Sequence, residues 1–190
     1  MLFVMRGSVL PEIAPQLLGT TAFAVVVTLL HGHLFAWKIP LNFVPFSLIG
    51  LTLAIFLGFR NSTSYARYWE ARTHWGTLLN ESRAMVRQAL TLCDAPAQAG
   101  SLAARLTAFV HALRHQLRAT DPSADFERLL PREDCARLQG ARYKPAVLLL
   151  MVGEWLRDRR QAAELSGPLV QAMEVPLGRL TDALGGCERI

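Results

Sequence analysis

Between Ile13 and Phe59 the chain carries one charged residue, Lys38, while the rest of its 190 residues is densely charged. A tract of that length has to be covered by lipid or by a core far larger than the remaining chain can supply. Two stretches within it, Ile13 to Trp37 and about Leu41 to Phe59, are each long enough for a hydrocarbon core of ~30 Å at ~1.5 Å per residue. Overall the sequence is 52% hydrophobic and 18% charged, so its apolar excess is segregated rather than dispersed.

A basic residue, Arg6, precedes the first stretch, which is also how a secretory signal opens. TTAFAVVVTLL, however, runs on into HGHLFAWK with no small-x-small cleavage site, and a second span follows at once. The first stretch is therefore expected to stay in the mature protein. Pro40, Asn42 and Pro45 mark a tight re-entry, and Trp37 with Lys38 suits the lipid interface at the turn. One cation lies at the tip, whereas Arg60, Arg67 and Arg72 follow the second span. The positive-inside rule then places both termini in the cytoplasm. The expected organisation is a two-span transmembrane hairpin over residues 1–60 and a cytosolic helical domain over residues 61–190, an all-α membrane protein.

The stretch from Leu48 to Arg72 carries two stripes at i, i+4, i+8. Gly50, Ala54 and Gly58 are small; Leu51, Ile55 and Phe59 are large. On a helix the stripes lie about 100° apart. Small residues four apart let another helix approach closely in lipid. In a symmetric ring of helices, the adjoining large ridge fits an apolar constriction that gates by dewetting. Taken alone, the pattern leans to the plainer alternative, lipid-facing or core packing.

The tract GFRNSTSYARYWEAR follows, with Arg60, Asn61, Tyr65, Arg67, Tyr68, Trp69, Glu70 and Arg72, and then Trp75. It resembles the bacterial branch of the bestrophins, which form pentameric ion channels. The likeness continues weakly to the terminal GGCERI, Gly185 to Ile190, and so covers essentially the whole chain. It implies a homopentamer in the bacterial inner membrane, with Leu51, Ile55 and Phe59 at the hydrophobic neck. It also implies a cytosolic aperture at Leu169, just after Pro168. The family includes both anion and cation channels, so chloride and sodium or potassium stay open as the conducted ion. Bestrophins carry two further membrane helices beyond the point reached at Ile190, and acidic residues in that half contribute to the calcium clasp of the animal members. The chain therefore reads as a truncated or shortened bestrophin with no calcium site.

Beyond Arg72 the pattern is helical. Ser64 to Leu92 is expected to continue the pore helix, with Asn61 to Ser64 polar enough for a break, and Cys93 to Ser101 is expected to be a turn. Leu102, Leu106, Phe109, Leu113 and Leu117 repeat at helical spacing. Short helices follow, divided by Pro131 and Gly140, and Pro145 opens a helix whose AVLLLMV run is too short to cross a bilayer. The last helix starts at Pro168, with Leu169, Met173, Leu177, Leu180 and Leu184 as its buried stripe and Pro176 expected to kink or split it.

His111 and His115 are four apart and able to share a metal, but no third ligand is evident, so a solvated or subunit-facing pair is the better reading. His31 and His33, two apart, diverge on a helix and read as interfacial polar residues. Glu133 and Asp134, like Asp121 and Asp125, read as charged helix starts. Cys93, Cys135 and Cys187 lack any CxxC spacing and read as reduced thiols. No P-loop, GxGxxG, GxSxG or zinc-ligand set is present, so no catalytic residue, metal or cofactor is expected. The net charge of +5 is spread along amphipathic helices without a basic run, which argues against nucleic acid. Two functional readings stay open. One is a bestrophin-type channel subunit; the other is a non-conducting two-pass protein whose helical domain binds partners.

Overall fold

The computed structural model describes residues 10–29, 33–34, 37–38 and 43–190. The expectations for Arg6, His31, Pro40 and Asn42 fall outside them. Chain contacts define two compact units, Met1–Phe59 and Arg60–Ile190.

In the first unit, α1 spans Leu10–Leu29 and α2 begins at Phe43. Between them β1, His33–Leu34, pairs antiparallel with β2, Trp37–Lys38, in the register His33 to Lys38 and Leu34 to Trp37. At 20 residues, α1 is ~30 Å long, the thickness of a hydrocarbon core. No described side chain of this unit is buried. Its hydroxyls are satisfied locally instead. Thr21 Oγ1 donates to the Leu17 carbonyl at 2.7 Å, Thr28 Oγ1 to Ala24 at 2.8 Å and Thr52 Oγ1 to Leu48 at 2.8 Å. A hydroxyl bonded to its own helix can face lipid without an orphaned donor.

The second span does not stop at the apolar boundary. α2 runs as one helix from Phe43 to Leu92, 50 residues, with no break at Asn61–Ser64. Asn and Ser lower helix propensity by only fractions of ~1 kcal/mol each, and no proline follows Pro45 before Leu92. Pro45 itself sits in the first turn, where its missing amide hydrogen leaves no helical bond unmade.

The second unit is a helical bundle made of the rest of α2 with α3 (Ala99–Leu117), α4 (Ser123–Leu129), α5 (Arg132–Gln139), α6 (Lys144–Gln161) and α7 (Gly167–Arg189). The expected turn at Cys93–Ser101 is partly helical: Pro96–Gln98 forms a single 3-10 turn that feeds directly into α3. Leu102, Leu106, Phe109 and Leu113 of α3 are buried as their spacing predicts, while Leu117 at the helix end is exposed. They meet Leu148, Met151, Val152 and Leu156 of α6, and Leu78, Met85 and Ala89 are what α2 contributes to the core. α7 buries Met173, Leu177, Leu180 and Leu184 and runs unbroken through Pro176. Both α3 and α6 end on a left-handed alanine, Ala119 at φ 51° and Ala163 at φ 59°. The residue after each donates its amide five residues back, Thr120 to the His115 carbonyl and Glu164 to that of Arg159, both at 3.0 Å. These are glycine-type helix ends built without glycine.

Candidate pore helix

Leu51, Ile55 and Phe59 are 60%, 50% and 68% exposed within the chain. The small stripe beside them is equally open: a methyl group added at Gly50 or Gly58 would meet nothing within 4 Å. Both stripes are exposed among the described residues. In a bilayer, exposed faces of this kind take lipid or another copy.

Below the apolar part, Tyr65, Tyr68 and Trp69 are exposed, and Arg72 Nη1 lies 3.4 Å from the Tyr68 hydroxyl. Glu70 instead turns to the end of α7, where Arg189 Nη2 donates to its Oε1. One turn further along α2, the Nε2 of His74 stands 3.8 Å from the same oxygen. Gly186 packs against that imidazole so closely that a β-carbon there would clash with its Cε1, Nε2 and Nδ1 atoms. A second α2–α7 tie lies beyond, with Arg179 Nη1 donating to Glu81 Oε1 at 3.1 Å. The two segments that carry the resemblance, the aromatic tract and GGCERI, therefore touch. Replacing Gly186 by alanine forces His74 or the last turn of α7 to move. An overpacking loss of about 1–3 kcal/mol is expected, read as a lower midpoint in denaturant, and an unchanged midpoint would show that the imidazole swings away freely.

Leu169, expected at the aperture, is half-buried in the first turn of α7 and packs on the edge of the core. The histidine pair of α3 has a partner that spacing alone did not show. Asp125 of α4 brings Oδ2 to 2.7 Å from His111 Nδ1, 3.1 Å from His115 Nε2 and 2.8 Å from Arg114 Nη2. Arg128 Nη2 adds a bond to Oδ1 at 3.1 Å. Hydrogen bonding from His115, with further bonds from His111 and Arg128, holds this carboxyl well below the usual aspartate range. Asp125 is thus the clamp between α3 and α4 rather than only a charged helix start, and two guanidiniums occupy the sides where a metal would need open lone pairs.

Asp134 departs further from a helix-start role. It is buried, and Arg105 of α3 reaches it with Nε at 2.9 Å and Nη2 at 3.4 Å while Nη1 donates to the Met151 carbonyl at 3.2 Å. One guanidinium thereby joins α3, α5 and α6. The cysteines are unpaired, and burial raises the Cys187 thiol above its ordinary value, which keeps it unreactive.

The family described as Bacterial/Fungal Bestrophin protein matches residues 1–190. Over 193 residues the chain is 47% identical to the voltage-dependent anion channel-forming protein RSc3414 of Ralstonia nicotianae, covering all of this chain and 63% of that protein. It is 36% identical over 189 residues to the voltage-dependent anion channel-forming protein YneE of Escherichia coli K12, covering 62% of it. A crystal structure of a bacterial bestrophin homologue from Klebsiella pneumoniae superimposes with a TM-score of 0.87 at 38% identity, over 94% of this chain and 67% of that one. The chain thus spans less than two thirds of the length of these curated relatives. Matched along its whole length and sharing the helical hairpin and helical domain of the solved homologues, this all-α membrane protein belongs to the bacterial and fungal bestrophins.

Proposed function

We propose that the chain forms the pore helix and inner vestibule of an anion-conducting channel, with five copies arranged so that α2 of each faces a common axis. The observation that carries this reading is the exposed double face of α2: an apolar ridge at Leu51, Ile55 and Phe59 beside close-approach positions at Gly50, Ala54 and Gly58. A ring of copies gives both faces an occupant, the small stripe against a neighbouring helix and the ridge at the neck. Leu169 is assigned to a second, inner constriction. The names of the two relatives favour chloride-like anions over sodium or potassium. Arg60, Arg67 and Arg72 against the single Lys38 at the tip favour the bacterial inner membrane with both termini in the cytoplasm. Nothing in the reading calls for catalysis, a cofactor or nucleic acid.

Cross-linking of the full chain in membranes tests it. A ladder that ends at five copies is expected. A ladder ending at one or two would instead favour a non-conducting two-pass protein whose helical domain serves only as a docking module.

A further inference from the structure

Beyond the apolar part, the face of α2 turned away from the bundle core has an unusual composition. Thr73, Thr77, Asn80, Ala84, Arg87 and Thr91 follow one another in alternating steps of four and three. That is the heptad seam which a helix presents to an axis shared with other helices. At about 100° per residue, it lies well away from the buried Leu78, Met85 and Ala89. Thr73, Asn80, Arg87 and Thr91 are exposed, and the other two are half-buried. A helix face open to bulk water ordinarily carries several charges. This one carries a single cation.

Its threonines are chemically quiet. Thr73 Oγ1 donates to the Trp69 carbonyl at 3.0 Å, Thr77 Oγ1 to Thr73 at 3.2 Å and Thr91 Oγ1 to Arg87 at 2.9 Å. Each hydroxyl hydrogen is spent within the helix, which leaves the Asn80 amide and the Arg87 guanidinium as the seam's outward donors. Arg87 makes no ion pair among the described residues. Glu70, one step before Thr73 on the same seam, is held by Arg189.

We infer that Arg87 sets the charge preference of the inner path: one unpaired guanidinium per copy forms a positive ring that concentrates anions and turns cations away. The inference rests on the proposed ring of copies around α2. Rings of arginine or lysine at a pore mouth act in this way, and several charges facing one enclosed space reinforce each other where a lone surface charge is screened.

The test uses the full chain in liposomes at 0.15 M salt, with cysteine introduced on the seam as Asn80→Cys. Rates of labelling by an anionic and a cationic methanethiosulfonate are compared. The parent chain supplies the blank, because Cys93 and Cys187 are buried and Cys135 is half-buried. Seven residues along the helix, about 10 Å, is beyond the ~8 Å screening length, so an isolated arginine at position 87 should alter the anion-to-cation rate ratio by no more than about twofold. For a ring, Arg87→Glu should lower that ratio about fivefold or more, while Arg83→Glu, an exposed arginine off the seam, should change it far less. An Arg87→Glu effect no larger than that of Arg83→Glu overturns the inference. Cross-linking of the same samples separates the two claims: five copies without a charge effect sinks only the role of Arg87, and no oligomer at all sinks the ring and this role together.

Discussion

Alanine at Leu51, Ile55 and Phe59 together should raise anion flux through the proposed five-copy channel by about tenfold or more, because a barrier lowered by only ~1.4 kcal/mol is sufficient for that. If the three side chains face the axis, each copy contributes to three stacked apolar rings. An ion crossing them sheds water and receives no polar ligand in return, and the barrier depends on both width and apolarity. Truncation to methyl groups widens all three rings and lets a water column persist. The control is leucine at Gly50, Ala54 and Gly58, one residue earlier in each case. Gly50 and Gly58 have open space for a β-carbon and Ala54 is exposed, so added bulk is expected to spare the monomer fold and act on the approach of a neighbouring helix. Fewer pentamers, with unchanged folding, are expected there. Flux measured from single assemblies in bilayers, alongside cross-linking, reads both. An alanine triple that assembles normally and conducts like the parent would place the ridge against lipid and remove the neck.

The membrane hairpin and the bundle were both legible in the sequence because each rests on a long, strongly patterned signal. One charge between Ile13 and Phe59 fixes the spans, and leucines at helical spacing fix which faces of α3 and α7 are buried. What spacing could not supply was any contact between elements distant in the chain. Asp125 is a plausible first-turn acid of α4, and only the fold brings it against His111, His115 and Arg114. The left-handed ends at Ala119 and Ala163 were hidden for a different reason. Glycine is the usual signal for that conformation, and an alanine there, carrying a local cost of about 1 kcal/mol, leaves no trace in composition. The continuation of α2 to Leu92 was legible too, and the break that Asn61–Ser64 allowed is absent because a helix already committed on both sides propagates through a short weak stretch.

Asp134 separates a helix-start charge from a core device, and Arg105→Met is the substitution that decides between them. As a first-turn acid, Asp134 would interact with the α5 dipole by about 0.3–1 kcal/mol, and Arg105 would matter little to it. As found, the carboxylate is 5% exposed and shares its two oxygens with one guanidinium, which also donates to the Met151 carbonyl. Removing the arginine leaves a buried charge without a counterion and a carbonyl without its donor, for an expected loss of about 3–5 kcal/mol in the unfolding free energy of the full chain. Methionine keeps the length and much of the apolar stem, so the loss reports the charge rather than a void. Adding Asp134→Leu in the same chain should restore most of it, because an apolar pair of similar volume has no desolvated ion to compensate. The double variant would still lack the acid at the start of α5 and should fall short of the parent by about that dipole contribution, 0.3–1 kcal/mol. A single Arg105→Met change costing under about 1 kcal/mol would mean that water reaches the carboxylate, and the three-helix junction would then owe its stability to the surrounding leucines alone.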